Sequence, residues 1–210
     1  MNPIVVPSSS GYVVLKADDP SLPREAGQVL LPLARAAIAG ELGIARATPD
    51  ELPWLKRQGA SFITLTEGGR LRGCIGTLRP HRALGEDVRG NAVAAAFRDP
   101  RFKPLTAGEL DAVSLEVSVL STLETLAFSD EQDALRQLRP GIDGIVLEYG
   151  HHSSTFLPQV WESFREPADF VAHLKQKAGL PPDLWDGNMK LMRYTVTKWR
   201  EEPKSVTSDK

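Results

Sequence analysis

Cys74 is the single thiol of the chain, and it stands in the run Leu71-Arg72-Gly73-Cys74-Ile75-Gly76-Thr77-Leu78. Read as a β-strand, the run sends alternate side chains to opposite faces, so Leu71, Ile75 and Thr77 share one face. Arg72 and Cys74 then share the other, with Cα atoms roughly 7 Å apart. Gly73 and Gly76 offer no side chain to pack, and their usual use in a strand is a bulge or a close backbone approach. A thiol beside a guanidinium, with bare backbone around it, can meet a small ligand. The thiolate is the nucleophilic form, and a neighbouring cation favours it. The competing reading is structural, because free cysteine is among the most buried residue types and packs as a small hydrophobe.

Other residues with chemistry lie further along. Asp99-Pro100-Arg101-Phe102 ends a helical pattern abruptly. It either closes a local salt bridge and plugs Phe102 into the core or presents Asp99 and Arg101 to a cleft. Val113 to Ser121 alternates cleanly, with Val113, Leu115, Val117 and Val119 on one face and Ser114, Glu116 and Ser118 on the other. Glu116 is thereby a candidate general base for Cys74, or a partner for Arg72 across one sheet face. Asn91 lies at the edge of an apolar helical stripe, where a half-buried amide needs partners and is more simply structural than ligand-binding. Gln159, beside Pro158, bonds free backbone groups or points into a pocket. Arg35 reads as a solvated or snorkelling side chain on its helix rather than a ligand contact. His151 and His152 are adjacent, so an extended chain points them apart, and they read as turn residues. With one cysteine and no His pair at helical spacing, no metal site is expected.

The bulk properties narrow the function classes. A net charge of −2 and a pI near 6.1 leave no footprint for nucleic acid or an anionic membrane. One cysteine forbids an intrachain disulfide. No apolar run approaches the roughly 20 residues of a membrane helix. The opening residues lack a basic stretch before their short apolar pieces, so no signal peptide and a cytoplasmic location are expected. Nothing in the chain specifies a cofactor.

The elements that must carry these residues come largely as hairpins. Strands are expected at 60–66, 71–78, 113–121, 142–149, 153–157 and 189–200, with Glu67-Gly68-Gly69 as a tight turn joining the first two. Helices are expected over about 24–39, 83–97, 130–138 and from Pro167 to Ala178. Pro32 kinks the first or delays its start. Asp18, Asp19 and Ser21 are its N-cap choices. Thr106 and Glu109 form a capping box for a short turn. Phe156 to Glu162 reads as a strand turning into a helix, with Trp161 in the core. The order lacks regular βαβ alternation and predicts an α+β fold of antiparallel sheets with packed helices. Residues 1–20 read as a flexible tail, 21–202 as one domain and 203–210 as a disordered tail.

LRGCIGTLRP, AAAFRDPRFKPLTAGEL, LEVSVLS, GIDGIVLEYG, TFLPQVWE and LKQKAGL occur here in the order of the AMMECR domain family, which the chain resembles over about residues 24–202. Bacterial and archaeal members are also called AmmeMemoRadiSam system protein A. The resemblance implies a two-lobed α+β domain with the R-G-C-I-G motif near a cleft between the lobes. It carries Arg72, Gly73, Cys74, Ile75, Gly76 and Thr77, then Asp99 to Phe102 and Pro158 to Trp161, onto the family motifs, and it assigns none of them a catalytic role. It also implies partners, a radical SAM protein and a Memo-like protein. Two functions follow. In one, Cys74 is a nucleophile or covalent carrier with Glu116 or one of the histidines as base. In the other, a non-catalytic module uses Arg72, Gly73, Gly76, Thr77, Asn91, Asp99, Arg101 and Gln159 to dock a partner or a small anion.

Overall fold

The computed structural model describes residues 6–7, 12–14, 22–23 and 25–202. In chain order its elements are β1 (Val6–Pro7), β2 (Tyr12–Val14), α1 (Gly27–Glu41), β3 (Gln58–Glu67), β4 (Arg70–Gly76), β5 (Arg82–Ala83), α2 (Leu84–Phe97) and β6 (Val113–Leu120). There follow β7 (Glu124–Thr125), α3 (Glu131–Gln137), β8 (Gly144–Tyr149), β9 (His152–Phe156), α4 (Pro167–Lys177), β10 (Lys190–Tyr194) and β11 (Val196–Glu201). The fold is α+β with antiparallel pairing, as the hairpin-rich pattern predicts. Two units form, one from residues up to Leu120 together with those from Thr197 on, the other Ser121–Val196.

The first unit holds a sheet in the order β1-β2-β11-β6-β3-β4, with β5 also on β3. Its inward face carries Ile63 and Leu65 of β3 and Val113, Leu115 and Val117 of β6, all at most 1% exposed. α1 and α2 cover that face with Leu30, Ala34 and Ile38, and with Val88, Ala92 and Ala95. The alternation of β6 is thus the signature of a strand with one apolar side. α1 runs through Pro32 and starts at Gly27, later than expected. Its expected caps Asp18, Asp19 and Ser21 lie outside the described residues, as do 203–210 and most of 1–20. Gly27 lets the helix meet Trp199 closely, since a Cβ there would lie 2.5 Å from the indole.

Arg35 corrects an expectation. It is buried, not solvated, and donates from Nε to Glu201 at 2.7 Å and from Nη1 and Nη2 to the carbonyls of Leu110 and Val113 at 2.5 and 2.8 Å. Its carboxylate partner stands 166 positions away, at the end of β11, so no local pattern announces the pair.

The second unit has a sheet in the order β7-β10-β8-β9 with its own core of Ile145, Leu147, Leu191, Trp161, Phe170 and Leu174. Trp161 follows Phe156 through a 3-10 turn, Pro158–Ser163, and donates to the Asp143 carbonyl at 2.7 Å. α4 opens on Pro167 and stops before Gly179, whose φ of +77° suits glycine. The expected single closing strand is two strands, because the chain leaves the small sheet at Thr195, where Ser121 and Thr195 exchange hydrogen bonds, and enters the large one. His151 and His152 do not point apart, because the turn brings their rings to 4.3 Å. Among the described residues no helix is long and apolar enough to cross a membrane.

Candidate functional site

β4 is the edge strand of the large sheet, and its register fixes where the thiol goes. Cys74 stands opposite Thr64 of β3, and Thr64 stands opposite Glu116 of β6, so the three occupy one row on one face. That is the polar face, since Ile63, Leu65, Leu115 and Val117 alternate to the core side. Cys74 is half-buried, and Thr64 Oγ1 donates to its sulfur at 3.4 Å. Gly73 points to the core side, where a Cβ would lie 2.2 Å from the Ala95 carbonyl oxygen of α2. Gly76 lies under the Phe62 ring, 2.3 Å from where its Cβ would stand. Both glycines therefore serve close approach, one to a helix and one to an aromatic ring.

Arg72 falls at a register irregularity, where Leu65 pairs with Gly73 and Thr66 with Leu71, so it has no residue opposite. Its Nε donates to Glu109 at 2.9 Å. The same Glu109 accepts from the Thr106 N–H and hydroxyl, both at 2.8 Å, completing the predicted capping box. The Arg72 hydrogen bond and the Thr106 N–H lower the Glu109 carboxyl to about 2. Arg72 and Glu116 are not partners. Glu116 accepts from Arg200 Nε at 2.9 Å and from its Nη2, with Lys198 Nζ at 3.7 Å. It stands two strands from Cys74, about 10 Å at ordinary strand spacing, and its carboxylate is committed to those cations.

The D-P-R-F connector reaches Cys74 through its backbone. Asp99 is 4% exposed and accepts the Cys74 N–H at 2.9 Å. Arg101 donates to Asp99 from Nε at 2.9 Å and Nη2 at 2.7 Å, and from Nη2 to the Cys74 carbonyl at 3.3 Å. A carboxylate and a guanidinium thus take the places of a neighbouring strand along the edge of β4. The Arg101 hydrogen bonds, with the Cys74 N–H behind them, hold the Asp99 carboxyl well below the usual range, and Asp99 raises Arg101 in return. Phe102 is half-buried beneath the Arg101 guanidinium, 5.4 Å from ring centre, and Leu105 fills the core instead.

Thr77 and Asn91 come together on a residue the sequence reading passed over. Asp87, fully buried on α2, accepts from Thr77 Oγ1 at 2.6 Å, from Asn91 Nδ2 at 2.9 Å and from Arg82 Nε at 2.9 Å. It also accepts from the Ser61 N–H at 2.8 Å, supplying β3 with an acceptor where β4 ends. One signal was available, since Asp87 and Asn91 are four apart and share a helix face. Nothing local marked Thr64, whose role depends on pairing register. Gln159 is exposed in the second unit, on the turn Pro158–Ser163. Among the described residues, no group of three or more His, Cys, Asp or Glu side chains is placed to hold a metal ion.

Comparison with known proteins bears on the whole chain. A protein of Methanothermobacter thermautotrophicus is 37% identical over 186 residues, spanning 86% of this chain and 97% of its own. Protein MJ0810 of Methanocaldococcus jannaschii is 33% identical over 192 residues, spanning 89% and 96%. The crystal structure of uncharacterized protein PH0010 from Pyrococcus horikoshii superposes with a TM-score of 0.73 at 34% identity, covering 87% of this chain and 95% of that one. Residues 31–199 match the AMMECR1 family model, and the chain belongs to that family.

Proposed function

We propose that Cys74 is the working group of this domain, a thiol that forms a covalent bond to an electrophilic carbon of a substrate or partner. One observation carries the reading. The sulfur lies on the polar face of its strand, although a structural cysteine packs as a small hydrophobe. Two distant motifs serve it, R-G-C-I-G by carrying it and D-P-R-F by clamping both polar groups of its peptide. A rigid strand is the kind of support that gives a reacting atom a fixed position. In the reaction the thiol gives its proton to solvent water, the sulfur electron pair makes the new bond to carbon, and the bond from that carbon to its leaving group breaks, the group departing with the bonding pair and taking a proton from water. Glu116 is too far and too firmly paired to serve as base. The resemblance to AmmeMemoRadiSam system protein A supports a modification or carrier role beside a radical SAM and a Memo-like protein.

Mass spectrometry of the protein purified with and without such partners tests this, together with iodoacetamide labelling of the native chain. An adduct or label on Cys74, lost in Cys74→Ser, is the expected outcome. A thiol that stays free in every preparation and inert until the chain is unfolded would overturn it. One atom supports docking of a small anion instead. Arg72 Nη1 is buried and has no hydrogen-bond partner. Binding that survives Cys74→Ala and disappears with Arg72→Ala would favour that alternative.

A further inference from the structure

We infer that Thr64 is the positioning residue of the Cys74 thiol. This rests on Cys74 being the reacting group. Backbone pairing dictates the contact. The N–H and C=O of Cys74 point outward to Asp99 and Arg101, so its pair with Thr64 is a non-hydrogen-bonded one, the kind that brings opposite side chains closest. Threonine is stiff at χ1, so its hydroxyl occupies a defined place on the sheet face. From there Oγ1 donates to Sγ at 3.4 Å. Sulfur, N–H and C=O of Cys74 are then each held by a different residue, and only the Thr64 bond is to the atom that reacts. A donor aimed at sulfur fixes where the atom sits on the sheet face and which lone pair is left to meet the incoming carbon.

The test uses the full chain and iodoacetamide, where sulfur bonds to the methylene carbon, iodide leaves and the thiol proton goes to buffer. One cysteine makes the label count unambiguous. Thr64→Val keeps the branched shape suited to a strand and removes the hydroxyl. The native labelling rate is expected to fall about fivefold in Thr64→Val and to stay within about twofold of the parent in Thr64→Ser, the scale of one net hydrogen bond. Should Val disturb folding by circular dichroism, Thr64→Ala against Thr64→Ser carries the same comparison. A parent rate in the hydroxyl-free variants, or an equal loss in Thr64→Ser, overturns the role of Thr64 and leaves that of Cys74 standing. A parent protein whose native thiol does not label defeats both.

Discussion

Glu109 and Asp99 share a design that pH can expose. Each is a carboxylate with an arginine and at least one backbone N–H as donors, and each is held below its ordinary value. Glu109 falls to about 2, first through Arg72 and then through Thr106, while Asp99 is lowered first through Arg101 and then through the Cys74 N–H. The sign follows from which state protonates first. As pH falls, the unfolded carboxyls take up protons near their free values of about 4, before the folded ones do, so acid favours unfolding. The contribution is present above about pH 5 and is lost progressively toward pH 2. Urea midpoints measured across that range are expected to decline in the parent chain and to decline less steeply in Glu109→Gln. An identical pH slope in the two proteins would refute the claim. The capping box was legible from Thr106 and Glu109 alone, three positions apart. The Arg72 contact was not, because the irregularity at Leu65/Thr66 sets which way Arg72 leaves the strand.

At the scale of elements, the chemistry depends on how closely α2 lies on β4. The stripe Ala92, Ala95 and Ala96 keeps the helix surface low, and Gly73 removes the last obstacle. A methyl on Gly73 would meet the Ala95 carbonyl oxygen at 2.2 Å, and the obstacle is backbone, which cannot turn aside as a side chain can. Gly73→Ala is therefore expected to destabilise by about 1–3 kcal/mol, the usual cost of overpacking. Gly40, on α1, makes the control, since a Cβ there meets nothing within 4 Å. Gly40→Ala should stabilise by about 0.5–1 kcal/mol through helix propensity alone. Thermal or urea unfolding of the pair decides it, and a Gly73→Ala protein as stable as its parent would show that α2 can lift from β4 without cost. The sequence offered a bulge or a close approach as the use of Gly73 and Gly76, and the structure selects close approach. The sequence could not reveal what approaches, because Ala95 and Phe62 reach them only through tertiary packing and strand register.

At the scale of the whole molecule, what escaped the sequence is sheet membership. Residues 189–200 read as one closing strand, yet Lys190–Tyr194 pairs with β8 and Val196–Glu201 joins the large sheet. A strand's own pattern says that it pairs, and only distant partners say with what. The helices and hairpins were legible because their periodicity and turn residues are local, and the Pro167 start and Gly179 stop of α4 are instances. The separate cores follow from the same division. Phe170 is the centre of the second, fully buried, stacked on Trp161 with ring centroids 3.7 Å apart and planes within 6°, and met edge-on by Phe156 and Phe164. Truncating it leaves a cavity among aromatic rings that are held by β9, by the turn Pro158–Ser163 and by Phe164 just after it, and the hydrogen bond from Trp161 to Asp143 limits collapse into the space. Phe170→Ala is accordingly expected to cost about 3–5 kcal/mol, with Trp161 emission moving to longer wavelength as water reaches the indole. Phe170→Leu, which refills most of the volume, should cost clearly less. If both variants unfold within about 1 kcal/mol of the parent, then Phe170 is not the keystone of that core and its aromatic contacts add little beyond filling space.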